Sequence, residues 1–571
     1  MKIINRLAIY ILILSLILTG CTGRSVQTQS PEQDPETVDS VETDFNKMSE
    51  EKKAELVKAR EEIEIQRKAE SGEFYVPLPG LGKESELNTV KAKALYLTAN
   101  VAGFEFNEAD VNYYADYIRA ISGESGLAAE SSRMSEINKL EKALGICEAT
   151  EINALVIDVK NDDGVVAWNS DIDIVNQIKS NSSAPFSNHE KLMNYLKEKN
   201  IYSIARIVAF KDPYFAEVKN EHAIQLKSGG IYKDYSGKMW VNPFDDYVWK
   251  YVLAISKEAA LRGFDEIQYD YVRFPDDAKT YNPITEFPDR NGRDKDEGIE
   301  DFLKFANSEL EPYNVHIAAD VFGIITHSWD DKPEDIGQTW RKIANQSDYI
   351  CPMIYPSHYG TGLYGFNVPD QHPYEIVRLS LLEAVERNAA EKNPGIIRSW
   401  IQGFTAPWVK GHIEYDAKAI AVQLAASMEL GVEEYIIWNA SNNYDPMSFF
   451  YSDRINTGIR QNGEDILSRT PEAALLKYLD AEKNKRYSLI YLLTPINERP
   501  EDYDLFVSEM EKNPSLLKSY DILRIDKNED GTYTGAVNAE YSSDVETAAK
   551  KETLYKIVLE NEVYKIIKPK L

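Results

Sequence analysis

The chain has 571 residues, with 64 Lys and Arg against 93 Asp and Glu and a formal net charge of −29 at pH 7. Nucleic acid and anionic lipid headgroups are polyanions, so this balance excludes them as partners. Three cysteines in this length exclude a disulfide framework, and 35 Tyr with 8 Trp supply both core and stacking material.

Lys2 and Arg6 precede an apolar run over residues 7–18, too short to cross a bilayer, as in a secretory signal. The tetrapeptide Leu18-Thr19-Gly20-Cys21 resembles a bacterial lipobox. That resemblance implies that residues 1–21 are a lipoprotein signal peptide and Cys21 the acylated residue. The protein would then sit outside the cytoplasmic membrane, touching it through the lipid anchor alone. Residues 22–90 read as a linker. Residues 22–43 are rich in Ser, Thr, Gln, Pro and acids, which predicts a disordered stalk. Residues 45–70 are charged and helix-favouring, either one helix lying on the domain or a spacer. Pro77, Pro79, Gly80 and Gly82 break the chain before a main domain over residues 91–460.

From Lys93 a short apolar strand, a loop and an amphipathic helix recur. The predicted strands are 94–99, 154–159, 202–209, 266–272, 316–321, 349–355, 397–402 and 434–439. Predicted helices between them include 189–197, 247–262, 298–310, 373–389 and 416–430, with Gly263 and Gly431 just past two of their ends. Strands alternating with helices imply parallel pairing, and eight units fit a (β/α)₈ TIM barrel with insertions. The alternative is an open doubly wound sheet, but no strand is followed by a glycine-rich phosphate loop. The loops over 211–242 and 276–297 are long and polar, the first reading as a small hairpin with Trp240 near the cleft rim.

In such a barrel the site lies where the strands end. The fourth strand alternates within Glu266-Ile267-Gln268-Tyr269-Asp270-Tyr271-Val272-Arg273-Phe274-Pro275, placing Gln268, Asp270 and Val272 on one face. Asp158 and Asp162 end the second strand, Arg206 lies on the third, Arg273 follows the fourth and Asp320 ends the fifth. Tyr355 and His358 follow the sixth strand, Trp400 and Gln402 lie on the seventh and Trp438 on the eighth. A purely structural barrel would not gather polar and aromatic residues at one end of nearly every strand.

These motifs, together with Leu155-Val156-Ile157-Asp158-Val159-Lys160, Ala205-Arg206-Ile207-Val208-Ala209-Phe210-Lys211-Asp212-Pro213, Asp320-Val321-Phe322-Gly323 and Pro352-Met353-Ile354-Tyr355-Pro356-Ser357-His358-Tyr359, resemble a bacterial family of glycoside hydrolases long catalogued as a domain of unknown function. The resemblance spans roughly residues 93–445 and implies a glycosidase-type TIM barrel acting on a polysaccharide or oligosaccharide. Glycoside hydrolysis uses two carboxyl groups. Asp270 is the expected nucleophile or base and Asp320 the expected acid. Asp158, Asp162, Arg206, Arg273, Tyr355, His358, Trp400, Gln402 and Trp438 are expected around the substrate, the tryptophans as stacking platforms. The contrasting expectation is a catalytically silent barrel that binds wall or capsule glycan. No metal or cofactor is expected: His327, His358 and His372 lack ligand spacing, and the calcium-loop-like start at Asp526 reaches Val537 where Glu is required.

Beyond residue 461 the pattern changes to helices over 471–485 and 501–512 and then strands over 520–526, 533–541, 553–559 and 563–568. This is a small α+β domain, which resembles NTF2-like accessory domains of bacterial lipoproteins.

Overall fold

The computed structural model describes residues 45, 48–81, 87–122, 131–327, 331–450, 463–465, 467, 469–512, 516–542 and 551–569. The predicted signal segment, Cys21 and the stalk lie outside the described residues. Strands β1 (Lys93–Leu97), β2 (Ala154–Lys160), β3 (Tyr202–Val208), β4 (Glu266–Asp270), β5 (His316–Phe322), β6 (Tyr349–Ile354), β7 (Ile396–Gln402) and β8 (Glu434–Trp438) close into one barrel. Each pairs in parallel with its sequence neighbours, and β1 pairs with β8. Closure excludes the open sheet. Every residue of β2 and β3 is buried, as expected for strands covered on both faces.

Outside the barrel lie α1 (Glu50–Ser71), α2 (Glu108–Ile121), α3 (Lys139–Ala149), α4 (His189–Glu198), α5 (Asp246–Leu261), α6 (Lys295–Leu310), α7 (Trp340–Ala344), α8 (Pro373–Asn388) and α9 (Ala417–Glu429). Their starts are chemically fixed. Asn138 and Glu141 form a capping box on α3, Asp294 and Glu297 another on α6, and Asp416 caps α9 through the Ala419 N–H. Gly263 and Gly431 take φ of +99° and +71° past α5 and α9, a conformation that L side chains rarely adopt.

The ambiguous segment 45–70 is one helix. α1 lies along the outer wall: Arg67 donates to the Tyr313 hydroxyl beyond the end of α6, and Tyr247 at the start of α5 donates to Glu73. The hairpin expected over 211–242 is present, with Lys211 bridged to Trp240 and Lys233 to Met239. It also clasps the next loop, since Gln225 and Leu226 pair antiparallel with Glu286 and Thr285. β4 stops at Asp270, two residues earlier than predicted, because Tyr271 turns to φ +48°.

The C-terminal module contains α10 (Pro471–Lys483), α11 (Tyr487–Leu493) and α12 (Tyr503–Lys512). They pack on an antiparallel sheet of β9 (Leu516–Lys527), β10 (Tyr533–Ser542), β11 (Lys551–Glu560) and β12 (Val563–Ile567) in sequential order. The turn at Asn528 is a hairpin turn, as predicted. α11 is missing from the sequence reading: all but its first residue are buried, so no amphipathic period marks it. The module is locked to α8. Glu386, fully buried, accepts from Arg469 and Lys477 at 2.6 Å each. Burial acts upward on Glu386, but Lys477 and Arg469 outweigh it and hold the carboxyl at about 2.

Candidate active site

Alternate residues of every strand point into the lumen. At the base, where the strands start, small Ala94, Ala154 and Ala318 leave room for Tyr202, Tyr349 and Arg398. Arg398 donates to both oxygens of Glu266 at 2.7 and 2.9 Å and through Nε to Glu434 at 2.9 Å. Tyr202 donates to Glu266 at 3.1 Å, and the Ala92 N–H to Glu434 at 3.1 Å.

A second guanidinium stands at the mouth. Arg206 on β3 donates to Asp158 at 2.5 Å through Nη1, and to Asp270 through Nε at 3.0 Å and through Nη2. Tyr96 on β1 donates to the other oxygen of Asp158 at 2.5 Å. Burial and Asp158 push the Tyr96 hydroxyl far upward, so it stays a donor. Burial also pushes the Asp158 carboxyl up, against the pull of Arg206. Asp270 receives the Tyr271 N–H at 2.6 Å on its second oxygen. A positive φ at a bulky residue is uncommon and costs roughly 1–3 kcal/mol. Here it ends the strand just after Asp270 and sends the ring to within 5.7 Å of Trp240.

Asp320 on β5 is the next carboxyl along the mouth and the most deeply buried of the three, 1% exposed. Its Oδ1 accepts from Gln268 Nε2 at 2.5 Å and Trp400 Nε1 at 2.6 Å. Its Oδ2 is buried and has no partner among the described residues. Burial, and then the charge of Asp270, push this carboxyl well above the usual carboxylate range. This setting favours the neutral acid, and the oxygen that takes no donor among the described residues is the one free to carry its proton.

The remaining expected residues divide. Trp438 is half-buried at the mouth, 4.1 Å ring to ring from Tyr96, with the Arg206 guanidinium 5.6 Å from its ring. Tyr355 is buried near Asp320, and His358 lies beside it on the rim, 5.3 Å ring to ring. Asp162 is a rim residue paired with Lys211 at 3.2 Å. Trp400 is no open platform: it is 1% exposed and serves as a hydrogen-bond donor to Asp320. Trp240 is likewise buried, its indole N–H donated to Asp234, with Arg273 over its ring at 5.1 Å. Arg273 is held among Trp240, Tyr271 and Phe322 and pairs with Asp276, so it braces the loop after β4. Gln402 accepts from the Ser357 N–H and donates to Asp370 and the Phe404 carbonyl, tying the loops after β6 and β7 together.

Lys160 and Asp212, also within the recognised motifs, turn outward into a fully buried pair at 2.9 Å. Asp212 also caps the helix that starts at Pro213, and a Cβ on Gly164 would come 2.2 Å from its Oδ1. That part of the motif is structural. Tyr96 and the orienting role of Gln268 escaped sequence reasoning. The signal for both is parity alone, since each shares its strand face with a lumen residue. Among the described residues no group of three or more His, Cys, Asp or Glu is arranged to hold a metal.

An eight-stranded parallel barrel with three carboxyls around one guanidinium at its C-terminal mouth defines a barrel of the enzymatic type. The family described as "Putative glycosyl hydrolase domain" matches residues 127–444, more than half of the chain, and the chain belongs to it. Solved structures similar to it include a hypothetical protein of Ruminiclostridium thermocellum, 32% identical over 40% of this chain and 97% of that one, TM-score 0.30. The PgaB (BpsB) glycoside hydrolase domain of Bordetella bronchiseptica is 11% identical over 63% and 98%, TM-score 0.39. A chitinase of Chromobacterium violaceum is 12% identical over 64% and 98%, TM-score 0.32. No curated protein matches the chain.

Proposed function

We propose that the chain is an exported glycoside hydrolase that cleaves a polysaccharide, with Asp320 as proton donor and Asp270 as nucleophile or base. The observation that carries this reading is the contrast between two neighbouring carboxyls. Asp270 is ion-paired to Arg206, whereas Asp320 takes two neutral donors on one oxygen and leaves the other oxygen unpartnered. Environments that separate two carboxyls in this way set acid and base roles. In the reaction the Oδ2 proton of Asp320 passes to the bridging oxygen as its bond to the anomeric carbon breaks. The positive charge developing on that carbon is met by Asp270. It either forms a glycosyl ester, which water then cleaves, or takes the proton of an attacking water. Adjacent strands lie about 4.8 Å apart, which keeps both geometries within reach. Gln268 and Trp400 orient the acid, and the Tyr271 amide and Arg206 orient the base.

The test is a screen of the full chain against wall and exopolysaccharide fragments, read by mass spectrometry. Asp270→Asn and Asp320→Asn are each expected to lower turnover at least about a hundredfold with the fold intact. Near-normal turnover in both variants would put the chemistry elsewhere. Attachment through Cys21 is part of the proposal, motivated by the lipobox-like residues 18–21. Cys21→Ala is expected to leave the membrane fraction or to accumulate as precursor. Unchanged processing and retention would remove the anchor from the reading.

A further inference from the structure

We infer that the cleft on the β7–β8 side of the mouth binds an acidic stretch of the glycan, with sugars that bear carboxylate or sulfate groups. The inference rests on the hydrolase reading above and names the substrate class it takes. The cleft is open and about 870 Å³ in volume, in the range of small-molecule sites. It starts at Trp438, whose other side touches Tyr96 and lies against Arg206, so one ring separates the cleft from the carboxyl cluster. The loop after β7 supplies Phe404 and Trp408, with rings 6.1 Å apart and 22° from parallel. Trp408 is 67% exposed, a broad apolar face of the kind that meets the C–H face of a sugar.

The opposite wall is α3. Lys139 and Lys142 both line the cleft, three residues apart and hence on one helix face. Lys139 Nζ donates to the Ser441 carbonyl at 2.6 Å, which holds that ammonium over the cleft floor. Neither lysine forms an ion pair among the described residues. Among the described residues Asp445 is the one lining carboxylate, and its Oδ1 is engaged by the Met447 N–H at 2.9 Å. Two ammonium groups against one carboxylate invert the sign of a chain whose net charge is −29. A polyanion is repelled by most of this surface and is met by positive charge here, beside stacking rings that lead to the carboxyl cluster. A neutral glycan would use the rings and leave the charge of both lysines without a counter-ion among the described residues.

The test measures binding without cleavage, by calorimetry on the full chain carrying Asp320→Asn. The probes are a galacturonate hexamer, a sulfated isomaltohexaose and unsubstituted isomaltohexaose, at 50 and 300 mM NaCl. The expected result is that one or both acidic hexamers bind at least tenfold tighter than the neutral one. That preference should fall at least tenfold at the higher salt and vanish in the Lys139→Ala/Lys142→Ala double variant. Trp408→Ala is expected to weaken acidic and neutral probes alike. Which acidic hexamer binds separates carboxylate from sulfate. Equal binding of acidic and neutral hexamers, no acidic binding, or unchanged acidic binding in the double variant would overturn the inference. A protein that cleaves neutral polysaccharide and fails this test would keep the hydrolase reading and lose the cleft. One that binds acidic hexamers through the lysines yet cleaves nothing would do the reverse.

Discussion

The two ends of the barrel lumen carry nearly the same ions. At the base, Arg398 serves Glu266 and Glu434; at the mouth, Arg206 serves Asp158 and Asp270. Both clusters are buried, and each is one guanidinium between two carboxylates. They differ in what is left over: at the base a donor, Arg398 Nη2, and at the mouth a carboxyl oxygen, Asp320 Oδ2. At the base each carboxylate takes a further donor, Tyr202 or the Ala92 N–H, and the side chains of Arg398 and Glu266 are wholly inaccessible. At the mouth a third carboxyl stands beside the pairs with a bare oxygen, and a cleft opens at Trp438. Buried charge alone does not mark a site. A buried carboxyl whose oxygen finds no donor among the described residues, near the mouth where the strands end, does.

The comparison predicts opposite phenotypes for the two arginines. Arg398→Met strips two buried glutamates of their partner and is expected to cost about 3–5 kcal/mol of stability, read in denaturant melts. If stability were unchanged, the base cluster would not be the structural one. Arg206→Met is expected to act chiefly on turnover, by about a hundredfold, because Asp270 loses the group that aims it. A larger stability loss than that of Arg398→Met would erase the distinction between the ends.

Glu386 sharpens the rule outside the lumen, since it is fully paired and should behave like the base. Its carboxyl is held at about 2, against about 4.3 in an unfolded chain. Its stabilisation is therefore complete above pH about 4.3 and fades as pH falls toward 2. Glu386→Gln is expected to cost roughly 2 kcal/mol at neutral pH and to remove that acid-side fading. Equal acid melts of the parent and the variant would argue against it.

A carboxyl left incomplete should titrate in the opposite sense, and Asp320 tests this. Burial and Asp270 raise its pKa above the 3.9 or so of an unfolded chain, so stability is expected to decline as pH rises from about 3.9 toward the raised folded-state pKa. Asp320→Asn should flatten this decline. A parallel pH profile would show that Asp320 is ionised in the folded protein.

The barrel was legible from the spacing of apolar strands, and Asp270, Asp320, Arg206 and Trp438 from their places at strand ends. Trp400 and Gln402 have the same parity as Trp438, yet one lies beneath Asp320 and the other ties loops. Depth along a strand is set by stagger between neighbours, which one sequence does not encode. Tyr271 was read as one more strand residue because nothing local forbids it; only its tertiary setting, against Trp240 and beside Lys211, turns it over. The C-terminal helix α11 was invisible because burial on every side erases the period on which helix reading depends.

The direction of α1 has a consequence for how the molecule faces its surroundings. Its Arg67 lies beside Tyr313 at the base, and Glu73, just beyond its last turn, reaches Tyr247 near the mouth, so the helix climbs the wall from base to mouth. Glu50 therefore points away from the carboxyls. The described start of the chain thus meets the barrel from its base, the end opposite the carboxyls.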